Sequence, residues 1–206
     1  PEHRERGVEW SPDGKWISYF SDASGNYDLY VRSADGAGEP TRLVTGERVW
    51  MDGVEWSPDS KWVAWSDNMN RLRAMEVTSK RLVEVDRTGM GGLNDFSWSP
   101  DSRWITYAKP DDNTMSSVWL YSLDSGRATR VTGDMTSESS PAFDPKGRFL
   151  YFVSARDFEF DGDASGFRSR VYAATLRADQ GHPFPPKSDE EPALTEKAGA
   201  GDAKAG

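Results

Sequence analysis

The residues of this chain that could do chemistry are few, and their spacing does not bring them together. There are two histidines, His3 and His182, and no cysteine. A serine nucleophile needs a base held rigidly within hydrogen-bond reach. Both histidines fall in terminal segments, and neither segment has a sequence that suggests rigidity. Histidine-based metal binding needs close-spaced ligands, and there is no His-x-x-x-His and no His/Cys cluster. The acidic pairs Asp111-Asp112 and Glu190-Glu191 read as solvated loop charge, because adjacent acids do not define the separation that glycoside chemistry requires. Gly89-Met90-Gly91-Gly92 is glycine-rich, but no helix signal or Lys-Ser/Thr follows it. A phosphate cradle needs both, so a flexible connection is the better reading.

Two patterns look more like sites. Asp161-Gly162-Asp163-Ala164-Ser165-Gly166 has the Asp-x-Asp-x-Ser-Gly start of a calcium loop. Its twelfth position is Tyr172, which cannot supply the closing bidentate carboxylate, so a solvated turn is expected. Asp13, Asp59 and Asp101 recur with Lys15, Lys61, Arg103 and Arg148. They could form a binding row, but the aspartates suit a turn and the basic residues suit the surface at a strand start. The expectation is therefore no catalytic, cofactor-binding or metal-binding residue, and no cofactor.

What must position these residues is a four-fold repeat. It reads VEWSPDGKWISYF from Val8, VEWSPDSKWVAWS from Val54, FSWSPDSRWITYA from Phe96 and PAFDPKGRFLYFV from Pro141. Ser11, Ser57, Ser99 and Asp144 follow one another at spacings of 46, 42 and 45 residues. A period near that length, with several strands per unit, is the signature of propeller blades. Two aromatic columns run through the repeats: Trp10, Trp56, Trp98 and Phe143, then Trp16, Trp62, Trp104 and Phe149. Rings at fixed phase are expected to pack a core rather than stack on a ligand.

One unit shows how a blade arises. Gly7–Trp10 is a short strand, and Ser11-Pro12-Asp13-Gly14 is a turn in which proline presets φ and glycine permits the reversal. Trp16–Phe20, Tyr27–Arg32 and Thr41–Thr45 supply three more strands. The second unit trims its middle hairpin at Ser66–Arg71. The fourth carries an insertion from Ala155 to Ser169 and no recognisable fourth strand. The expected fold is all-β: blades of four antiparallel strands, in an arc of a six- or seven-bladed propeller. The blades lie near 8–53, 54–95, 96–140 and 141–180, within a repeat domain of 1–180. Residues 181–206, proline-rich and acidic and then small and polar, have linker composition and are expected to be flexible.

Composition excludes some partners. A net charge of −9 argues against nucleic acid, whose phosphates need basic surface. No run of about 18 apolar residues is present, so no helical membrane span is expected. The compartment stays open between cytosol and periplasm. PEHRERG lacks both an initiator Met and an apolar signal core, so the chain is expected to begin inside a longer parent or after processing.

The unit W-S-P-D-G/S-K/R-W, followed by S-D-x-x-G-N-x-D-L-Y and T-R-L-V-T, resembles the propeller repeat shared by TolB, the tricorn proteases and prolyl-oligopeptidase relatives. The stretch from Ser169 to Asp179 (SRVYAATLRAD) and that from His182 to Pro192 (HPFPPKSDEEP) resemble the end of the N-terminal propeller in bacterial tricorn-like proteases. This resemblance implies a multi-domain serine peptidase of which only propeller is present. No peptidase-site residue can be carried over. The implied role is a non-catalytic domain that guides or filters peptide or protein substrates toward the rest of the parent protease. The alternative is a TolB-like scaffold for protein–protein interaction. Binding residues, if any, would sit at the rim, on Trp50–Gly53, Gly92–Asp95 and Thr136–Ser140, which lead into the innermost strands. An arc of four blades exposes two apolar blade faces. It is expected to self-associate or to close only with further blades of the parent, a closed four-blade ring being the remaining option.

Overall fold

The computed structural model describes residues 3–44, 49–161 and 164–183, and among them there are strands and turns but no helix. Four antiparallel sheets follow one another in chain order. The first contains β1 (Glu5–Trp10), β2 (Trp16–Ser21), β3 (Asp28–Ser33) and β4 (Thr41–Arg42). The second contains β5 (Met51–Trp56), β6 (Trp62–Asp67), β7 (Arg71–Glu76) and β8 (Leu82–Arg87). The third contains β9 (Phe96–Trp98), β10 (Trp104–Pro110), β11 (Ser116–Ser122) and β12 (Arg127–Arg130). The fourth has three strands among the described residues: β13 (Glu138–Phe143), β14 (Phe149–Asp161) and β15 (Ala164–Thr175). Within each sheet every strand pairs with the next in sequence, as propeller blades require.

The Ser-Pro-Asp turn builds the first hairpin of the first three blades. The amides of Gly14, Ser60 and Ser102 donate to the carbonyls of Ser11, Ser57 and Ser99, at 2.8–2.9 Å. The first serine also reaches forward: the Oγ atoms of Ser11, Ser57 and Ser99 accept from the amides of Trp16, Trp62 and Trp104, each at 2.9 Å. In the fourth blade Asp144 takes this place, and its Oδ1 accepts from Phe149 N at 2.9 Å. Amide donation from residues 146, 148 and 149 holds the Asp144 carboxyl below its ordinary value, against the opposing effect of burial.

The core lies between successive sheets. Phe20, Leu29 and Val31 of the first pack on Met51, Val63 and Trp65 of the second. Trp62, Leu72 and Val85 of the second pack on Trp98, Ile105, Tyr107 and Tyr121 of the third. A smaller cluster joins Val118 of the third to Leu150 and Phe152 of the fourth. Each fully buried side chain of this kind contributes about 1.5–3 kcal/mol. Polar ties cross the same junctions. Trp56 Nε1 donates to Ser18 Oγ at 2.9 Å, and Asp86 accepts from Tyr107 Oη at 2.7 Å and from Lys109 Nζ at 2.8 Å.

One expectation needs correction. The aromatic columns do not all pack. Trp56, Trp98, Trp62 and Phe149 are buried, but Trp10 is 58% exposed, because no sheet precedes β1 among the described residues. Trp16 and Trp104 also stay more than a third exposed. The insertion from Ala155 to Ser169 takes the form of a strand extension, which the sequence does not specify. β14 and β15 run through it as one long hairpin, with a register shift between Ser154 and Asp157. Gly89–Gly92 is a connection between sheets, but Gly91, at φ +70°, lies so close to Pro110 that an added Cβ would be 3.0 Å from its ring.

Candidate functional site: the wall of first strands

β1, β5, β9 and β13 sit at the same edge of their sheets, and each meets the next, so they form one wall. Three of them carry a register shift at the same place: between Arg6 and Glu9, between Asp52 and Glu55, and between Ser139 and Ala142. Gly7, Gly53 and Ser140 within these shifts have φ of 60°, 59° and 52°. Such a bulge needs a left-handed residue, which explains the two glycines. β9 is shorter and has Asp95 at this position, without a bulge.

Just past the bulge, Glu9 and Glu55 occupy the same position of β1 and β5, while Ser97 and Ala142 take it in β9 and β13. Both carboxylates reach solvent. Glu55 lies on β5, between β1 and β9 in this wall, and the surrounding chain limits the hydration of its carboxyl. Burial, and then the charges of Glu9 and Asp95, push its carboxyl up to about 7.

Of the rim segments expected from the sequence, Gly92–Asp95 leads into β9, while Met51–Gly53 and Glu138–Ser140 form the starts of β5 and β13. The structure ties two of them together: Asp95 Oδ2 accepts from Ser140 N at 2.6 Å. The Trp50 segment is tied instead to β1. Arg6 Nη2 donates to Met51 O at 2.8 Å, and its guanidinium lies 3.8 Å from the centre of the Trp50 ring. In the third segment Glu138 accepts from Thr136 Oγ1 at 2.8 Å and from Arg156 Nη2 at 3.0 Å. Arg6, Glu9, Glu55 and Arg156 were not expected as site residues. The signal for the two acids is the Val-Glu-Trp triplet shared by residues 8–10 and 54–56.

The other sequence candidates stand apart from this wall. His3 is exposed, 3.8 Å from Asp22. His182 is exposed among the last described residues. Asp111 pairs with Arg130 at 2.6 Å, and Asp112 is exposed beside it. Asp13, Asp59 and Asp101 accept from the serine two residues before and the amide two residues after, which makes them parts of their turns. The Ser11 hydroxyl and the Lys15 amide hold the Asp13 carboxyl below its ordinary value. Lys15 and Lys61 reach back to Asp13 and Asp59 at 3.5 and 3.4 Å, Arg103 pairs with Asp124, and Arg148 lies 3.5 Å from Asp144. Gly162 and Asp163 of the calcium-like loop lie outside the described residues, as does residue range 184–206 with Glu190-Glu191. The wall thus offers charge and hydrogen bonds to a ligand, and among its described residues no nucleophile is paired with a base.

The family model of the tricorn protease second beta propeller domain matches residues 1–204. A tricorn protease homolog of Saccharolobus solfataricus is 33% identical over 98 residues, 48% of this chain and 9% of that protein. The uncharacterized peptidase YuxL of Bacillus subtilis is 28% identical over 170 residues, 80% of this chain and 23% of that protein. This chain therefore spans a small part of the curated relatives it matches. Among solved structures, the crystal structure of the tricorn protease superposes with a TM-score of 0.74 at 17% identity, covering 87% of this chain and 18% of that one. TolB from Acinetobacter baumannii gives 0.55 at 16% identity, covering 84% and 41%. At these identities both structural likenesses establish the fold alone.

Proposed function

The chain belongs to the tricorn protease second beta propeller domain family, and from that premise we propose that it guides peptide substrates toward a serine peptidase core elsewhere in its parent protein. The observation that carries this reading is the wall of first strands, with the acids Glu9 and Glu55 at the same position of adjoining strands. Such a surface attracts the amino terminus and the Lys or Arg side chains of an extended peptide, and long-range attraction of this kind raises encounter rates without demanding tight binding. The domain itself contributes no bond-making group in this reading. The likeness to TolB is one of fold and does not favour a scaffold role over this one.

A photo-crosslinking amino acid at position 55 of the parent protein tests the proposal, with position 82 on the outer strand β8 as control. A labelled lysine-rich peptide is expected to crosslink at 55 and not at 82. Equal labelling at both positions would contradict it.

A further inference from the structure

The junction between the third and fourth blades is built differently from the two before it. At the first two junctions a serine at the fourth turn position reaches back to the preceding blade. Asp13 N donates to Ser60 Oγ, and Asp59 N donates to Ser102 Oγ, both at 3.0 Å. At the third junction this position is Gly147, which has no hydroxyl, and Asp101 N has no partner among the described residues. The aromatic column changes at the same place. Trp98 Nε1 donates across the junction to Glu55 O at 3.3 Å, whereas Phe143 has no such donor and is smaller. These losses coincide with a cavity of about 460 Å³, whose apolar wall includes Trp104, Leu120, Phe143 and Leu176. Trp104 is 38% exposed, against 7% for Trp62 and 37% for Trp16 at the sister junctions, so its ring is open to the cavity without its exposure being peculiar to this junction. Lys146 lines the cavity too, and its ammonium has no ion pair among the described residues. The Asp101 carboxylate is held within its own turn by Ser99 Oγ and Arg103 N.

We propose that this cavity binds the C-terminal residue of a peptide with an aromatic or large aliphatic side chain. The α-carboxylate takes the place that Ser60 Oγ and Ser102 Oγ fill elsewhere, accepting from the Asp101 amide and pairing with Lys146. The side chain lies against Trp104 and Phe143. An unmet amide and an unpaired ammonium on residues lining one cavity suit a carboxylate, because charge-assisted donors are the stronger ones. The walls suit a ring, which gains from burial against other rings. This site meets the wall of first strands only at Phe143, the last residue of β13, and does not rest on the role proposed for that wall.

The probe is the tetrapeptide Ala-Ala-Ala-Phe with a free carboxylate, compared with its C-terminal amide and with 3-phenylpropionate. Binding is read by calorimetry and by the indole N–H resonance of Trp104, assigned through Trp104→Phe. The acid is expected to bind and shift that resonance, and the amide to bind ~tenfold more weakly. Lys146→Gln, at an exposed position, should reduce the difference between acid and amide. Gly147→Ser should abolish acid binding while keeping the fold. Its φ of +64° matches the serines at the sister junctions, and an added Cβ finds its nearest neighbour, Pro100 Cδ, only at 4.0 Å. Three results would overturn the proposal: equal binding of acid and amide, undiminished binding by Gly147→Ser, or an unmoved Trp104 resonance. Phenylpropionate binding as tightly as the tetrapeptide would overturn its assignment to a peptide terminus.

Discussion

Ser60 Oγ accepts a hydrogen bond from the backbone amide of Asp13, 47 residues earlier and one blade away, at 3.0 Å. To do so Ser60 adopts φ of 61°, a left-handed conformation that costs a non-glycine residue about 1–2 kcal/mol. The bond and the strain nearly offset each other, so two substitutions here should behave differently. Ser60→Ala keeps the strain and leaves the Asp13 amide unmet, and should destabilise by about 1 kcal/mol. Ser60→Gly loses the bond but relieves the strain, and should be close to neutral. Denaturant midpoints of the two variants at equal slope check this. A Ser60→Gly variant less stable than Ser60→Ala would show that the strain is not there.

Glu55 makes stability depend on pH in the direction opposite to an ordinary paired acid. Its folded pKa, about 7, lies above the ordinary value of 4.5, so the native state binds more protons than the unfolded state between those values. Stability contributed by the protonated form is fully present below about 4.5 and is lost as pH rises through about 7. Glu55→Gln should therefore match the parent sequence in melting temperature near pH 4 and exceed it at pH 8. A thermal scan at both values reads the difference. A gain that is equal at the two pH values would locate the effect outside this carboxylate.

Asp67 is fully buried beneath two arginines. Its Oδ2 lies 2.8 Å from Arg71 Nη2 and 3.0 Å from Arg73 Nη2, and Arg73 is itself buried beside the Trp65 ring. Removing one partner of a buried ion cluster leaves charge uncompensated, which costs more than the cluster contributes when intact. Asp67→Ala should destabilise by about 3–5 kcal/mol. Exposed pairs such as Arg87–Glu84, at 3.2 Å, should change stability by about 1 kcal/mol or less when broken. Urea unfolding of Asp67→Ala and Glu84→Ala separates the two classes.

The outer face of the first blade carries Val8 and Trp10, both more than half exposed. A neighbouring large apolar pair of this kind favours association. Light scattering of the 206-residue chain should show mass rising with concentration, and Trp10→Lys should suppress it. A monomer at every concentration would contradict this expectation.

Much of the fold was legible because it rests on local chemistry. The Ser-Pro-Asp-Gly/Ser turns announce the first hairpin of each blade, and the columns from Trp10 and Trp16 announce the period. What stayed hidden depends on neighbours distant in sequence. Gly14, Ser60, Ser102 and Gly147 all read as turn formers, and nothing local says that two of them reach back to the preceding blade. The cavity beside Trp104 is lined by Phe143 and Gly147 of the next repeat, which nothing near Trp104 in sequence announces. Ala155–Ser169 read as an insertion, but its turn-like and charged residues gave no sign that it continues the hairpin of β14 and β15. Of the rim segments only Gly92–Asp95 precedes its strand; Met51–Gly53 and Glu138–Ser140 already belong to β5 and β13. The raised pKa of Glu55 was not legible, because burial and two acids from other repeats produce it.

The central claim is that the wall of first strands handles peptides on their way to a peptidase core. The most direct measurement is the turnover of a long lysine-rich peptide and of a short neutral tripeptide by the intact parent protein, with and without Glu9→Lys and Glu55→Lys together. The account predicts that the double variant slows the long peptide several-fold and leaves the tripeptide unchanged. Equal turnover of both substrates by parent and variant, or an equal loss on both, would contradict it.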